Sequence, residues 1–524
     1  MIFLITCRFF YIAHNVNLRD KKDTKRIITK RLIDEVRIMD FLQKLNGVHW
    51  NIVDGDANAC FDAFFSKFMS LYNVCFPIIT ERVRPFRANS KPWFTRGLYQ
   101  SVQKKARLYR KWLCSRSDSD LSKYKKYKNK LTSLLRLSEK NYYCKRFTEI
   151  QGDIAKTWKL IKSVLPRTSK NDSICEINVD ACLVSDPEII ANKFNQFFTG
   201  IGSTLAKKIP NIDGTHREFL SSTIGKLSNS LFLCPSTPSE IVTVVSTFKG
   251  NKAAGFDSVS PNVIKQVIES IAVPLSLAIN ASFNQGVFPD RLKTAKVVPI
   301  FKSEDRALVN NYRPVSILSV FSKIYERLMY NRLNSYLVKN SLLTENQFGF
   351  KAQHSTSMAV LQLVDQIATQ LDNGNLTVGV FIDLSKAFDT VDHSILLDKL
   401  SMYGVRGNSF DWIQSYLSGR HQYVQLNEVK SDLLHVNCGV PQGSILGPLL
   451  FIIYINDIVN ISNVLQMILF ADDTNLFLSG PNLNDICTRL NTELCKLSRW
   501  FKLNKLSLNV KKLISLSLDQ KIRL

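Results

Sequence analysis

At 524 residues the chain exceeds what one hydrophobic core supports, so roughly two to four domains or subdomains are expected. Its 45% hydrophobic and 22% charged residues exclude an intrinsically disordered chain. The 69 Lys and Arg against 44 Asp and Glu, a net charge of +25, point to a polyanionic partner, because a basic surface gains free energy by releasing counterions from phosphate backbones. Eleven cysteines, an odd number without a CxxC pair, argue against a disulfide framework or a zinc knuckle. They fit a reducing compartment, so an intracellular protein of nucleus or cytoplasm is expected, not a secreted one.

In chain order, residues 1–90 read as a small helical N-terminal segment. The apolar opening from Met1 to Ala13 lacks the basic flank of a secretory leader. Between Asp40 and Phe76 the rings of Phe61, Phe64, Phe65 and Phe68 recur at helical spacing until Pro77 and Pro85 break the pattern. Residues 91–170 hold 22 Lys and Arg against 5 Asp and Glu, well over half of the net charge. They read as two or three long basic helices, with Tyr109, Trp112, Tyr124, Tyr127, Tyr142 and Tyr143 among the cations. Such a stretch is a solvated helical face or a nucleic-acid surface, and the aromatics pack a helix seam or stack on bases. On the second reading Lys104, Lys105, Arg107, Arg110, Lys125 and Lys126 are the phosphate contacts of an RNA-binding region.

Residues 171–237, with one amphipathic helix around Ile189 to Phe198, read as a connector. From Pro238 on, short β-branched runs such as Ala295–Ile300, Val378–Ile382 and Val464–Phe477 alternate with helical patterns, the texture of an α/β or α+β domain over 238–515. No run reaches the roughly 18 to 20 apolar residues of a membrane span, so no membrane partner is expected.

The chemistry-bearing residues follow from these runs. An apolar strand ends on Asp383, where a carboxylate is costly unless a cation or hydrogen bonds meet it. Asp383 is therefore a candidate metal ligand, or else an N-cap. In Ile468-Leu469-Phe470-Ala471-Asp472-Asp473-Thr474, two adjacent acids sit at a hairpin turn between apolar runs, either as a plain polar turn or as a cation site. Taken together, Asp383, Asp472 and Asp473 suit in-line phosphoryl transfer, in which two Mg²⁺ ions roughly 3.5–4 Å apart activate the nucleophile and stabilise the leaving group. Hard carboxylate oxygens on one rigid sheet are the ligands such ions need, and Mn²⁺ can substitute. Between the acidic elements, Cys438-Gly439-Val440-Pro441-Gln442-Gly443-Ser444 offers glycines for close backbone approach and an amide with both donor and acceptor.

In their order these blocks resemble the reverse transcriptase of non-LTR, LINE-like retrotransposons of the jockey type. The resemblance runs from Pro238 to Leu513. It rests on Lys252-Ala253-Ala254-Gly255-Phe256-Asp257, Asn311-Tyr312-Arg313-Pro314-Val315-Ser316, Gln347-Phe348-Gly349-Phe350, the Phe381 to Asp389 block, Pro441-Gln442-Gly443-Ser444, Phe470-Ala471-Asp472-Asp473 and Asn504-Lys505-Leu506-Ser507-Leu508-Asn509.

The resemblance implies an RNA-directed DNA polymerase with a right-hand fingers and palm fold, an antiparallel palm sheet with helices. Its partners would be an RNA template, a DNA primer and dNTPs. Asp383 and Asp472 would bind both metal ions, with Asp473 as the third acid. Phe388 would be the steric gate against a ribose 2′-hydroxyl, or a core Phe; an aromatic there disfavours an RNA-directed RNA polymerase. Arg313 and Lys302 would neutralise the triphosphate. Gln442 and Gly443 would line the nucleotide pocket, and Lys512 would lie near the leaving pyrophosphate, although Leu513 stands where the family carries Thr. It also implies a chain cut short at both ends, without the family's endonuclease before 238 and with only the start of a thumb at 516–524. A catalytically impaired nucleic-acid-binding remnant is the alternative.

Overall fold

The structure is a computed structural model and describes residues 26–50, 55–83, 91–164, 174, 176–179, 182–210, 212–219, 229–509 and 514–518. The chain divides into two compact units, one from Met1–Leu32 with Pro77–Ser173 and one from Ile33–Phe76 with Ile174–Leu524.

In the first unit, β1 (Arg26–Arg31) pairs antiparallel with β2 (Ile78–Val83). The Arg96–Ser115 helix starts at Thr95, whose side chain accepts from the Leu98 amide, and ends on Arg116 in the left-handed region. The chain then doubles back into the 32-residue Asp118–Glu149 helix. Tyr109 meets Tyr124 across the pair with ring centroids 5.1 Å apart, and Lys104 Nζ lies 5.5 Å over the Tyr127 ring. Tyr109, Tyr124 and Tyr127 thus pack the seam between the two helices, and most of the cations are left to solvent.

The second unit is built on a large apolar core. The Ala57–Cys75 helix, capped by Asp56, turns its phenylalanines onto Phe321 at the start of the Val320–Lys339 helix, with Phe68 and Phe321 centroids 5.2 Å apart. The Pro261–Gln285 helix lies in the same core, burying Val263, Ile264, Val267, Ile271 and Ile279 among others. By length and composition this helix could cross a membrane, which corrects the expectation that no run is long enough. Its apolar side chains are taken up by the core, and its exposed Val273 and Leu277 are exceptions.

Two sheets frame the site. The first, mixed sheet runs β10 (Leu434–Val436), β8 (Arg420–Leu426), β5 (Thr294–Phe301), β6 (Tyr312–Ile317), with β9 (Val429–Lys430) paired to β8; the β5–β8 pairing is parallel. The stretch expected as a connector adds a hairpin of β3 (Ile177–Val179) and β4 (Cys182–Val184) and the Pro187–Lys207 helix. Phe194 and Phe198 of that helix join Val297, Tyr312 and Val424 in a second small core. The second sheet is antiparallel throughout, ordered β11 (Gln466–Phe470), β12 (Asp473–Gly480), β7 (Leu376–Ile382), β13 (Ile514–Leu518). β7 is buried almost throughout, which is why it reads as a continuous apolar run rather than an alternating one.

Candidate active site

The two acidic elements meet through the register of the second sheet. Ile382 of β7 pairs with Thr474 of β12, so Asp383 leaves β7 beside the turn Ala471–Asp472 that joins β11 to β12. Asp383 is not the N-cap of either helical element that follows: Lys386 precedes the 3₁₀ turn Ala387–Asp389, and Asp392 caps the His393–Met402 helix. Asp383 is held by the last sequence block instead. Asn509 Nδ2 donates to Asp383 Oδ2 at 2.7 Å, and the Asn509 amide donates to the Asp383 carbonyl at 2.9 Å.

The Ala471–Asp472 turn is braced from the other side. Ala471 is in the left-handed region at φ 55. Gln347 Oε1 accepts from the amides of Gly349 and Ala471, at 2.7 and 3.0 Å, and the Phe348 amide bonds the Leu469 carbonyl at 2.8 Å. Gly349 packs so tightly here that a Cβ would lie 2.3 Å from the Ala471 nitrogen. The Gln347–Phe350 block therefore serves as a brace for the acidic hairpin.

Burial, and then the charge of Asp383, hold the Asp472 carboxyl above the usual carboxylate range, opposed by its own amide and by Arg313 and Lys302. Asp383, Asp472 and the two cations thus share one electrostatic neighbourhood. Asp473 opens β12 and is exposed. Arg313 is exposed on β6, opposite Ile300, and Lys302 follows β5, its amide bonded to the Asn311 carbonyl at 2.9 Å. Among the described residues no cluster of three or more His, Cys, Asp or Glu closes around a metal position. Two neighbouring carboxylates still fit Mg²⁺, which takes one or two protein carboxylates and fills its octahedron with water and substrate phosphate.

Phe388 lies in a 3₁₀ turn, Ala387–Asp389, half-buried. Its ring stacks on Phe451, with centroids 4.6 Å apart, and meets Phe350 edge-on at 6.2 Å. The core thus supports one face of the ring, as the reading of Phe388 as a core Phe expects. The Gly-rich loop is fastened beside it: the Val440 amide bonds the Phe388 carbonyl, and the Ser316 amide bonds the Gln442 carbonyl, both at 2.8 Å. Gly443 has φ 126, and a Cβ there would lie 2.4 Å from the Ser316 carbonyl oxygen, so only glycine lets loop and β6 approach this closely.

Lys512 falls outside the described residues. Lys104, Arg107 and Arg110 are exposed and Lys105 half-buried on the Arg96–Ser115 helix, while Lys125 and Lys126 are exposed on the helix that follows. These six lie in the first unit, and the acids, Arg313, Lys302, Phe388 and the loop in the second.

Residues 300–521 match the family model described as reverse transcriptase (RNA-dependent DNA polymerase). The chain carries a reverse-transcriptase domain. It is 32% identical over 314 residues to the probable RNA-directed DNA polymerase from transposon BS of Drosophila melanogaster, covering 57% of this chain and 34% of that protein. It is 26% identical over 421 residues to the corresponding protein of transposon X-element from the same fly, covering 78% and 46%. The RNA-directed DNA polymerase from mobile element jockey, also of D. melanogaster, is 26% identical over 365 residues, covering 68% and 39%. The chain thus spans less than half the length of these relatives, each of which is named for a transposon or mobile element.

Sequence reasoning assigned no role to the residues that hold this reverse-transcriptase site in place. Asn509, Gln347 and Asp389 all fall within the ordered blocks, so each carried a positional signal without a role. Glu326 carried none. It is fully buried on the Val320–Lys339 helix and accepts from Ser322 Oγ and from the amides of Ile445 and Leu446, at 2.9, 2.6 and 3.4 Å. Those amides open the Gly447–Ile455 helix, where a carboxylate meets both unpaired N–H groups and the positive helix end.

Proposed function

We propose that this chain is an RNA-directed DNA polymerase that adds dNTPs to a DNA primer on an RNA template. The observation that carries the proposal is the pair Asp383 and Asp472, electrostatically coupled at the ends of central strands of an antiparallel sheet with Arg313 and Lys302 alongside. On this reading the β11–β12–β7–β13 sheet is the palm, and β5, β6 and the elements around them are the fingers. Asp383 and Asp472 hold two divalent ions, with Asp473 as the third acid. When bound, Mg²⁺ supplies activation of the primer hydroxyl and neutralisation of charge on the α-phosphate and leaving group. Arg313 by a bidentate fork and Lys302 as a point charge hold the triphosphate. Phe388, backed by Phe451, leaves no room for a ribose 2′-hydroxyl, while Gln442 and Gly443 line the nucleotide and template pocket. The exposed cations of the two long helices bind RNA. The odd number of cysteines and the lack of a CxxC pair fit action in a reducing compartment.

The test is primer extension on poly(rA)/oligo(dT) with Mg²⁺, using Asp472→Ala as the control. Incorporation of dTMP that disappears in the control is expected. Incorporation no greater than that of the control overturns the proposal.

A further inference from the structure

Gln442 stands at the pocket with one end of its amide already committed. Its Nε2 donates to Asp389 Oδ1 at 2.8 Å, and its main-chain carbonyl is fixed by the Ser316 amide. A glutamine amide has a donor end and an acceptor end of nearly the same shape, so its partners decide which end faces a ligand. An ionised carboxylate only accepts, and so it selects Nε2.

Asp389 is poorly placed for any purely structural purpose. Its Oδ2 is shut off from solvent and has no hydrogen-bond partner. Gly439 lies against it so closely that a Cβ would come within 2.8 Å of the Asp389 Cα and carbonyl oxygen. A buried carboxylate oxygen without a partner costs stability, and an apolar side chain would avoid that cost. What an apolar residue cannot do is choose the orientation of the neighbouring amide.

We propose that Asp389 is a positioning residue that turns the Gln442 amide so that its Oε1, an acceptor, is left for the base or sugar edge of the incoming nucleotide. This rests on the reading that Gln442 lines the nucleotide pocket. Asp389→Asn keeps the shape but offers Gln442 either a donor or an acceptor, so the amide is no longer held one way.

The full chain is compared as wild type, Asp389→Asn, Gln442→Ala and the double variant. In primer extension, Asp389→Asn raises the KM for the correct dNTP and lowers discrimination against a mismatched one, each by about tenfold, the worth of one hydrogen bond to a charged partner. The kcat stays within about threefold, and resistance to denaturant is equal or higher. In the Gln442→Ala background, Asp389→Asn changes the KM by less than about twofold, because a residue acting through another adds nothing once that other is gone. Additive effects of the two changes, or a joint fall in kcat and stability, overturn the proposal. A second readout needs no activity: the side-chain amide of ¹⁵N-labelled Gln442 shifts in Asp389→Asn. An unmoved signal overturns the proposal. A moved signal in a chain that incorporates no nucleotide supports the positioning and overturns the polymerase reading instead.

Discussion

Replacing Gly443 by Ala tests whether the Gly-rich loop must touch β6 for the nucleotide pocket to form. The new Cβ would lie 2.4 Å from the Ser316 carbonyl oxygen, whereas ordinary contact begins at 3.4 Å, so loop and strand must part by about 1 Å. That shift stretches the 2.8 Å bond from the Ser316 amide to the Gln442 carbonyl, worth about 0.5–1.5 kcal/mol. The positive φ of 126 adds strain of about 1–3 kcal/mol for a residue with a side chain. A stability loss of roughly 2–4 kcal/mol follows. The effect on catalysis is larger, because misplacing a pocket residue by about 1 Å can cost about 100-fold. Single-nucleotide incorporation reads the activity and urea titration the stability. Gly374→Ala is the control, since Gly374 also has positive φ, 75, but nothing within 4 Å of a Cβ. It should lose some stability and keep its activity. If Gly443→Ala stays within about threefold of wild-type activity, close approach of loop and β6 is not required for the pocket.

Three further outcomes are expected. Phe388→Val should raise ribonucleotide kcat/KM at least about tenfold while leaving dNTP use largely intact, and unchanged sugar discrimination in competition assays would count against the gate. Lys399 and Asp457 form an ion pair at 2.6 Å with both side chains fully buried, and Trp500 Nε1 also donates to Asp457. Asp457→Ala should therefore cost about 3–5 kcal/mol in urea denaturation, and Lys399→Met with Asp457→Leu should recover most of it; equal loss in both would refute the account. Burial pushes the Asp389 carboxyl from 3.8 up to about 6, against the hydrogen bond from Gln442 and the charge of Lys386. Between those two values the folded chain holds a proton that the unfolded chain has lost. Stability should consequently fall as pH rises from about 4 to about 6, by at most about 3 kcal/mol, and this component should be level above pH 6. Denaturation midpoints across that window should be flatter for Asp389→Asn than for wild type, and identical slopes would show that the group does not titrate there.

The sequence by itself determined a good deal. The short apolar, β-branched run that ends at Ile382 reads as a strand because a strand buried on both faces needs an almost unbroken apolar run, and β7 is such a strand. The phenylalanines from Phe61 to Phe68 declare a helix by their spacing, and the coupled acids Asp383 and Asp472 declare themselves by standing at the ends of apolar runs. All of these are local signals, set by the two and 3.6 residue periods of strand and helix.

Only the tertiary structure decided what holds the site in shape. Asn509 reaches Asp383 across 126 positions, Gln347 reaches Ala471 across 124, and Glu326 reaches Ile445 across 119. No periodicity links residues so far apart, since each bond exists only after sheet pairing has paid the entropy of closing the loop between them. The stretch at 171–237 shows the same limit. Its Phe194 and Phe198 look like one amphipathic stripe in sequence, and it took the fold to show that β5, β6 and β8 supply the other half of that small core.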